Sequence, residues 1–527
     1  MGLMALNRLM STQRKRKQRR NRCRIQALGN PRDIDGRGAA SSLSKRDSPP
    51  YRHDVNSHCG KEARYLDPVL SEDVWCRIYS LLQMQDAARA ACVSRSFLGY
   101  WRCYPNLTFT NGTMCPKENL KTAGSNVIRD YNNQIDRVLM NRSSADAVTK
   151  LKLDYHVPPD GAESYHRLDS WLQMAVTPRT KELELLVWSK EASFDFPCIL
   201  LSDMCGGSIQ KLLLFKCALR PTSQLGLRSL RTLHLRDVRV TGEELGCLLS
   251  SSIALEHLKL VYCDDIVRLE IPCLLQRLSF LEVAGCMNLQ VIENKAPNLS
   301  KFYLGAGERM QVSFGESEVK KVELVQSRAI SYATDNLPSR VPNLETLTIC
   351  STCEIVNSPM ASGKFLHLKF LSILLMSGSN FDKDYDYLSL VPVFQASPSL
   401  EMFCLFVWEH SMYHWFEGDP ASLRRLPQHC HGNLKSVKII GFFPQKSMIE
   451  LACHLLENAT SLESLTVDAS PANYRCSGKG RKCCPLKATA IVKARKSILA
   501  VKKYIKGNVP STVKLNVPKP CQRCHRF

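Results

Sequence analysis

The sequence predicts an α/β solenoid, preceded by a short helical module and closed by a basic helical cap. Three observations carry this. A short Leu-x-Leu pair returns thirteen times between residues 148 and 470. Ahead of it, LSEDVWCRIYSLLQMQDAARAACVSRSFLGYW (Leu70 to Trp101) combines helix formers with more apolar surface than so short a stretch can bury alone. Behind it, residues 472–527 hold 15 Lys and Arg and no acid.

In chain order, residues 1–65 come first. They carry 16 Lys and Arg against 5 Asp and Glu and include GRGAASSLSKRDSPP, a composition that cannot bury a core. RKRKQRRNRCR, with Arg14, Lys15, Arg16, Lys17, Arg19 and Arg20 at its front, is a self-repelling block that stays solvated, and it is a nuclear-import candidate. The net charge of +22 resides in the two ends, +11 in 1–65 and +15 in 472–527, leaving −4 between them. The central body therefore need not be a basic nucleic-acid surface. No run of eighteen apolar residues occurs, so no membrane span is expected. The N-terminus runs from apolar to basic, the reverse of a secretory signal, and the 23 cysteines form no framework; reduced thiols and a nuclear or cytoplasmic protein are expected.

In the helical module (66–110), Ser71 is placed to cap a first helix with Glu72 and Asp73 in its first turn. Val74, Ile78, Leu81 and Leu82 follow at helical spacing. Asp86 is placed to cap a second helix running through Ala87, Ala90, Ala91 and Val93 to Phe97 and Trp101. Residues 111–147 read as a linker or an N-terminal cap of the repeats.

The repeats (148–470) put the first apolar residue of each pair at Leu151, Leu183, Leu212, Leu233, Leu258, Leu281, Phe302, Val322, Leu347, Leu371, Phe403, Val437 and Leu465. The spacing runs from 20 to 34 residues. Its middle part lies within the roughly 20–29-residue leucine-rich-repeat period, and longer gaps predict loops or extra helical turns. Alternation makes each pair a short strand with one face inward, and such a unit buries that face only by stacking on its neighbours. Cys217, Cys263 and Cys286 fall at the Asn/Cys position of the repeat, where a small inward thiol fits the turn off the strand.

In the cap (471–527), Ile491, Ala494, Ile498, Val501 and Ile505 share one helix face with Lys and Arg around it. That face predicts closure of the open solenoid end, or otherwise a contact with a membrane surface or acidic partner. VPSTVKLNV reads as a strand. Cys521, Cys524 and His525 sit together without a fourth ligand at zinc spacing, and His410 and His414 lack a third, so no metal or other cofactor is expected. No Walker loop, dinucleotide fingerprint or nucleophile elbow occurs; we expect no catalytic residues.

The module resembles an F-box. Leu70, Glu72, Asp73, Val74, Ile78, Leu81, Leu82, Asp86, Val93 and Phe97 fit that pattern, with Ser71 in place of the usual proline and Phe97 where tryptophan is common. DAARAACVSRSFLGYWRCYPNLTF, the irregular repeats and KKYIKGNVPSTVKLNVPKPCQRCH extend the resemblance over 66–527 to plant F-box/leucine-rich-repeat proteins. That resemblance implies a substrate receptor of a Skp1–cullin–F-box ubiquitin ligase. The module would dock on a Skp1-like adaptor, and through it a cullin, with the repeats holding an unidentified protein target. It assigns the adaptor contact to Leu70, Val74, Ile78, Leu81, Leu82, Ala90, Ala91 and Val93. The alternative is a nuclear repeat scaffold or nucleic-acid-associated protein acting through its basic ends, although no recognised nucleic-acid fold accompanies them.

Overall fold

The computed structural model describes residues 70–519 except 116–119, 121–122, 143–147, 159–164, 190–193, 222–224, 306–309, 353, 355–362, 377–384, 409–414 and 470–487. Three helices open it: α1 (Glu72–Leu81), α2 (Met84–Ala90) and α3 (Arg95–Arg102). Eighteen strands follow: β1 (Asn106–Phe109), β2 (Lys150–His156), β3 (Glu182–Trp188), β4 (Lys211–Phe215), β5 (Thr232–Arg236), β6 (His257–Val261), β7 (Arg268–Ile271), β8 (Phe280–Ala284), β9 (Val291–Asn294), β10 (Lys301–Gly305), β11 (Gln311–Ser313), β12 (Lys321–Gln326), β13 (Thr346–Ser351), β14 (Phe370–Met376), β15 (Met402–Trp408), β16 (Ser436–Ile440), β17 (Ser464–Asp468) and β18 (Lys514–Asn516). Fifteen form one parallel sheet, in order β1-β2-β3-β4-β5-β6-β8-β10-β12-β13-β14-β15-β16-β17-β18; β11-β9-β7 form a second.

The register explains the sequence pattern. All thirteen Leu-x-Leu leads stack in one column, from Leu151 on Leu183 through Phe302 on Val322 to Val437 on Leu465. Leu107 extends the column at one end and Leu515 at the other. The second apolar residue of each pair, from Leu153 to Val467, forms a parallel buried column. Repeat length follows the element that returns the chain. Gaps of 23, 21 and 20 residues hold β7, β9 and β11, whereas the 32-residue gap after Leu151 holds the helix His166–Ala175 and the 28-residue gap after Val437 holds Lys446–Asn458. A strand rises about 3.3 Å per residue against 1.5 Å for a helix, so a strand returns the chain in fewer residues.

Four successive turns off the main sheet, after β4, β5, β6 and β8, each use one left-handed residue. Lys216, Asp237, Tyr262 and Gly285 have φ of 58°, 52°, 55° and 64°. Their amides donate in turn to the carbonyls of Arg236, Val261, Ala284 and Gly305 on the next strand. Cys217, Cys263 and Cys286 directly follow three of these residues and are buried. Burial pushes the Cys217 thiol up to about 12, so it stays protonated and inert. Gly441 (φ 80°) makes the equivalent turn after β16, where a Cβ would collide with the Val407 carbonyl.

At the front, the solenoid begins earlier than the sequence predicts. β1 lies within the stretch read as module, and the helix Ser125–Met140 lies within the stretch read as a linker or an N-terminal cap of the repeats; together they form the first strand-and-helix unit. The predicted second helix is two. It breaks at Cys92–Ser94, where Ser94 accepts from the Phe97 amide at 3.1 Å and starts α3 afresh. Ser71 does occupy the N-cap of α1, but its side chain makes no capping bond. Asp86 lies inside the first turn of α2 and pairs with Arg89 at 2.6 Å, so it caps nothing.

At the back, the helix Ala488–Ala500 and the turn Val501–Ile505 lay Ala494, Ile498, Val501 and Ile505 against the body. Ser497 donates to the Phe442 carbonyl at 3.1 Å and Tyr504 to that of Gly418 at 2.8 Å. Lys496 stands over the Trp415 ring at 4.2 Å. β18 then pairs with β17. Four of the five residues of the stripe are thus buried against the chain itself, and Ile491 is half-buried. No helix among the described residues is long and apolar enough to cross a membrane.

Candidate interaction surfaces

α1 carries two apolar stripes. Trp75, Tyr79 and Leu82 form the inner one. Trp75 meets Phe97 at 5.3 Å, Tyr79 lies 5.5 Å from Tyr100, and Leu82 packs on the core. The module is tied to the solenoid by Tyr104 donating to the Leu82 carbonyl at 2.8 Å and Asn106 to that of Ser80 at 2.7 Å. Val74, Ile78 and Leu81 recur at i, i+4 and i+7 on the outer stripe, with Leu70 just ahead of it. Leu70, Val74 and Leu81 are 37%, 42% and 72% exposed, and Val93, in the α2–α3 turn, is 76% exposed. Ile78 is half-buried between the stripes.

Not every residue assigned to this contact reaches the surface. Ala91 is 6% exposed and belongs to the core, which corrects its assignment. It ends α2, with its amide bonded to Ala87, and Ala87 and Ala88 are fully enclosed beside it. Small side chains here serve close approach of helix to helix. Ala90 and Leu82 are only half-exposed and pack on the same core. Arg14, Lys15, Arg16, Lys17, Arg19 and Arg20 lie outside the described residues, as do His410, His414, Cys521, Cys524 and His525. Among the described residues no group of three His, Cys, Asp or Glu side chains is placed to hold a metal.

The second surface is the outward face of the main sheet, built from residues between and beside the inward columns. Its first half is charged and neutralised laterally. Lys150 pairs with Glu182 at 2.6 Å, Lys152 with Glu184 at 3.0 Å, Lys211 with Glu184 at 2.5 Å, and Lys259 with Glu282 at 2.7 Å. Burial pushes the Glu184 carboxyl up, but its two lysines outweigh burial and hold it below the usual carboxylate range. Burial and the charge of Glu282 raise Glu323 on β12.

Beyond β12 the chemistry changes. The outward residues of β13, β14 and β15 include Thr348, Cys350, Phe370, Ser372, Leu374, Met402, Cys404 and Phe406, and no residue within these three strands is charged. The sequence reading missed this patch because it followed the repeating Leu positions. The signal lies in the residue between them, which is charged in five of the eight main-sheet strands from β2 to β12 (Lys152, Glu184, Lys259, Glu282 and Glu323, against Leu213, His234 and Tyr303) but is Thr348, Ser372 and Cys404 here.

Behind β15 and β16, His431 and His454 sit 5.8 Å apart, each buried with its Nε2 unpartnered. Burial lowers both, His431 to about 4, so they stay neutral. The amide of His431 donates to the Asn458 carbonyl at 2.9 Å and that of His429 to Asn458 Oδ1 at 3.0 Å.

One short parallel strand per unit, stacked aliphatic columns and left-handed strand-end turns define a leucine-rich-repeat solenoid. The chain belongs to a family of plant leucine-rich-repeat proteins: the model described as "At1g61320/AtMIF1, LRR domain" matches residues 138–522. No curated protein matches the chain. Among solved structures, an internalin from Listeria monocytogenes is similar at 12% identity over 66% of this chain and 92% of that one, with a TM-score of 0.28; a likeness that slight carries no argument.

Proposed function

We propose that the chain is a non-catalytic substrate receptor of a Skp1–cullin–F-box ubiquitin ligase, acting in the nucleus or cytoplasm. The observation that carries this is the second apolar stripe of α1. Trp75 and Tyr79 already anchor the helix, yet Val74 and Leu81 remain exposed beside Leu70 and Val93. Isolated exposed aliphatics need no explanation, but a stripe on a module with the F-box residue pattern fits an interface core. The adaptor would cover this stripe, and the cullin behind it would bring the conjugating enzyme. Catalysis would be positional: the repeats hold a target so that its lysines meet activated ubiquitin at high local concentration. The chain needs no cofactor of its own for that role.

The test is capture of a purified Skp1-like adaptor by the full chain. Leu81→Asp with Val93→Asp should weaken capture at least about tenfold while leaving the thermal melt within a few degrees, since both side chains are exposed. Undiminished capture by this folded variant sinks the reading. Leu82 is a poorer target, because it packs on the core and Asp there also disturbs folding. The basic ends favour a second reading, a nucleic-acid-associated scaffold. It requires DNA or RNA binding by the full chain that falls steeply with salt and is lost when the Lys and Arg residues of 1–65 and the exposed ones of 472–527 are exchanged for Gln.

A further inference from the structure

We propose that the uncharged patch on β13–β15, together with Lys301 and Lys321, binds a linear peptide with acidic residues a few positions from aromatic or aliphatic ones. This rests on the receptor reading for its biological use and names the class of target segment.

Two features of the outward face combine. The first is apolar: Phe370, Leu374, Met402 and Phe406 are half-buried at the surface, and Trp408 is 42% exposed at the rim. Methionine and aromatic side chains are enriched in interface cores because they pack adaptably and bury much area. The second is electrostatic. Lys301 and Lys321 lie directly opposite one another on β10 and β12, both exposed. Among the described residues neither pairs with a carboxylate, whereas Lys150, Lys152, Lys211 and Lys259 on the same face all do. Like charges directly opposite across a strand pair are unfavourable, and an anion laid between them relieves that.

The same register sets the spacing of the partner. Lys301, Lys321, Thr346, Phe370 and Met402 form one row across five adjacent strands. At about 4.8 Å between strands, Phe370 lies roughly 10 Å and Met402 roughly 14 Å from Lys321. An extended peptide rises about 3.3 Å per residue, so its acidic and apolar residues should be about three to five positions apart. The occupant is not this chain's own tail. Residues 472–527 contain no acid and residues 1–65 are +11, so both ends are repelled by the lysine pair. A second copy, at +22 overall, is repelled as well.

The experiment selects a randomised phage-displayed 12-residue peptide library on the immobilised full chain, then measures selected peptides by fluorescence anisotropy. Selected sequences should carry Asp or Glu three to five residues from Phe, Leu, Met or Trp. Lys301→Glu with Lys321→Glu, at two exposed positions, should weaken these peptides at least about tenfold. It should strengthen versions in which the acids are replaced by Lys. Met402→Asp should abolish binding of both kinds. No enrichment, enrichment without that pattern, or binding unchanged in the charge-reversed variant overturns the proposal. Adaptor capture by the same variants separates the two conclusions. Peptide binding without adaptor capture removes only the ligase role; adaptor capture without peptide binding removes only this site.

Discussion

Glu184 shows how the sheet face accommodates charge. Its side chain is 7% exposed yet ionised, because Lys152 and Lys211 flank it from both neighbouring strands. Glu184→Gln leaves two lysines without their shared anion, and we expect a loss of about 1–3 kcal/mol in chemical denaturation at pH 7. The sign with pH follows from the depressed carboxyl. Its contribution is fully present above the ordinary glutamate pKa and disappears as pH falls through the lower folded value. The difference between wild type and Glu184→Gln should therefore shrink below pH about 4; a constant difference would place the effect in packing. Little of this was legible beforehand, because a charged residue between two leucines announces exposure, while its burial depends on which residues occupy the adjacent rungs.

At the scale of elements, periodicity revealed where strands lie, since all thirteen inward leads found their column. Leu107 escaped because 44 residues separate it from the nearest lead, whereas the strand VPSTVKLNV that holds Leu515 was legible from its β-branched alternation. The break between α2 and α3 escaped because Ala-rich sequence carries helix propensity straight across it, and only the Ser94 cap reveals the restart. Ser94→Ala should lower stability by about 0.5–2 kcal/mol, read from the melt of the full chain. The loop 429–434 offers a different test. His431 is held neutral with its pKa near 4, so the unfolded chain binds its proton first as pH falls from about 6.5. The groups facing it are His429, His454 and the Phe394 ring, none of them an anion. Acidification from pH 7 to 5 should cost on the order of 1–2 kcal/mol through this residue, and His431→Gln should flatten that slope. An unchanged slope would show that other groups carry it.

The whole molecule is one stacked core, and its ends are sealed by different means. The module covers β1 through Tyr104, Met84 and Trp101, whereas β18 and the basic helix cover β17 and the helix Lys446–Asn458. Truncation after residue 487 should uncover Leu465, Val467 and one side of that helix, giving a soluble fraction much below that of the full chain and marked dye binding to exposed apolar surface. The fold class was legible because stacking forces every repeat to restate the same inward pair. The interaction chemistry was not, because no such constraint acts on the outward residues.

The strand ladder has a metric consequence. Ten rungs separate β1, beside the module, from β14, at the centre of the uncharged patch. At about 4.8 Å each, that is a contour of roughly 48 Å fixed by covalent count and not by a flexible linker. Whatever is gripped there stands at a set remove and angle from whatever the module engages. Adding or deleting one rung would swing the cargo along a rigid track without altering a single contact at either end.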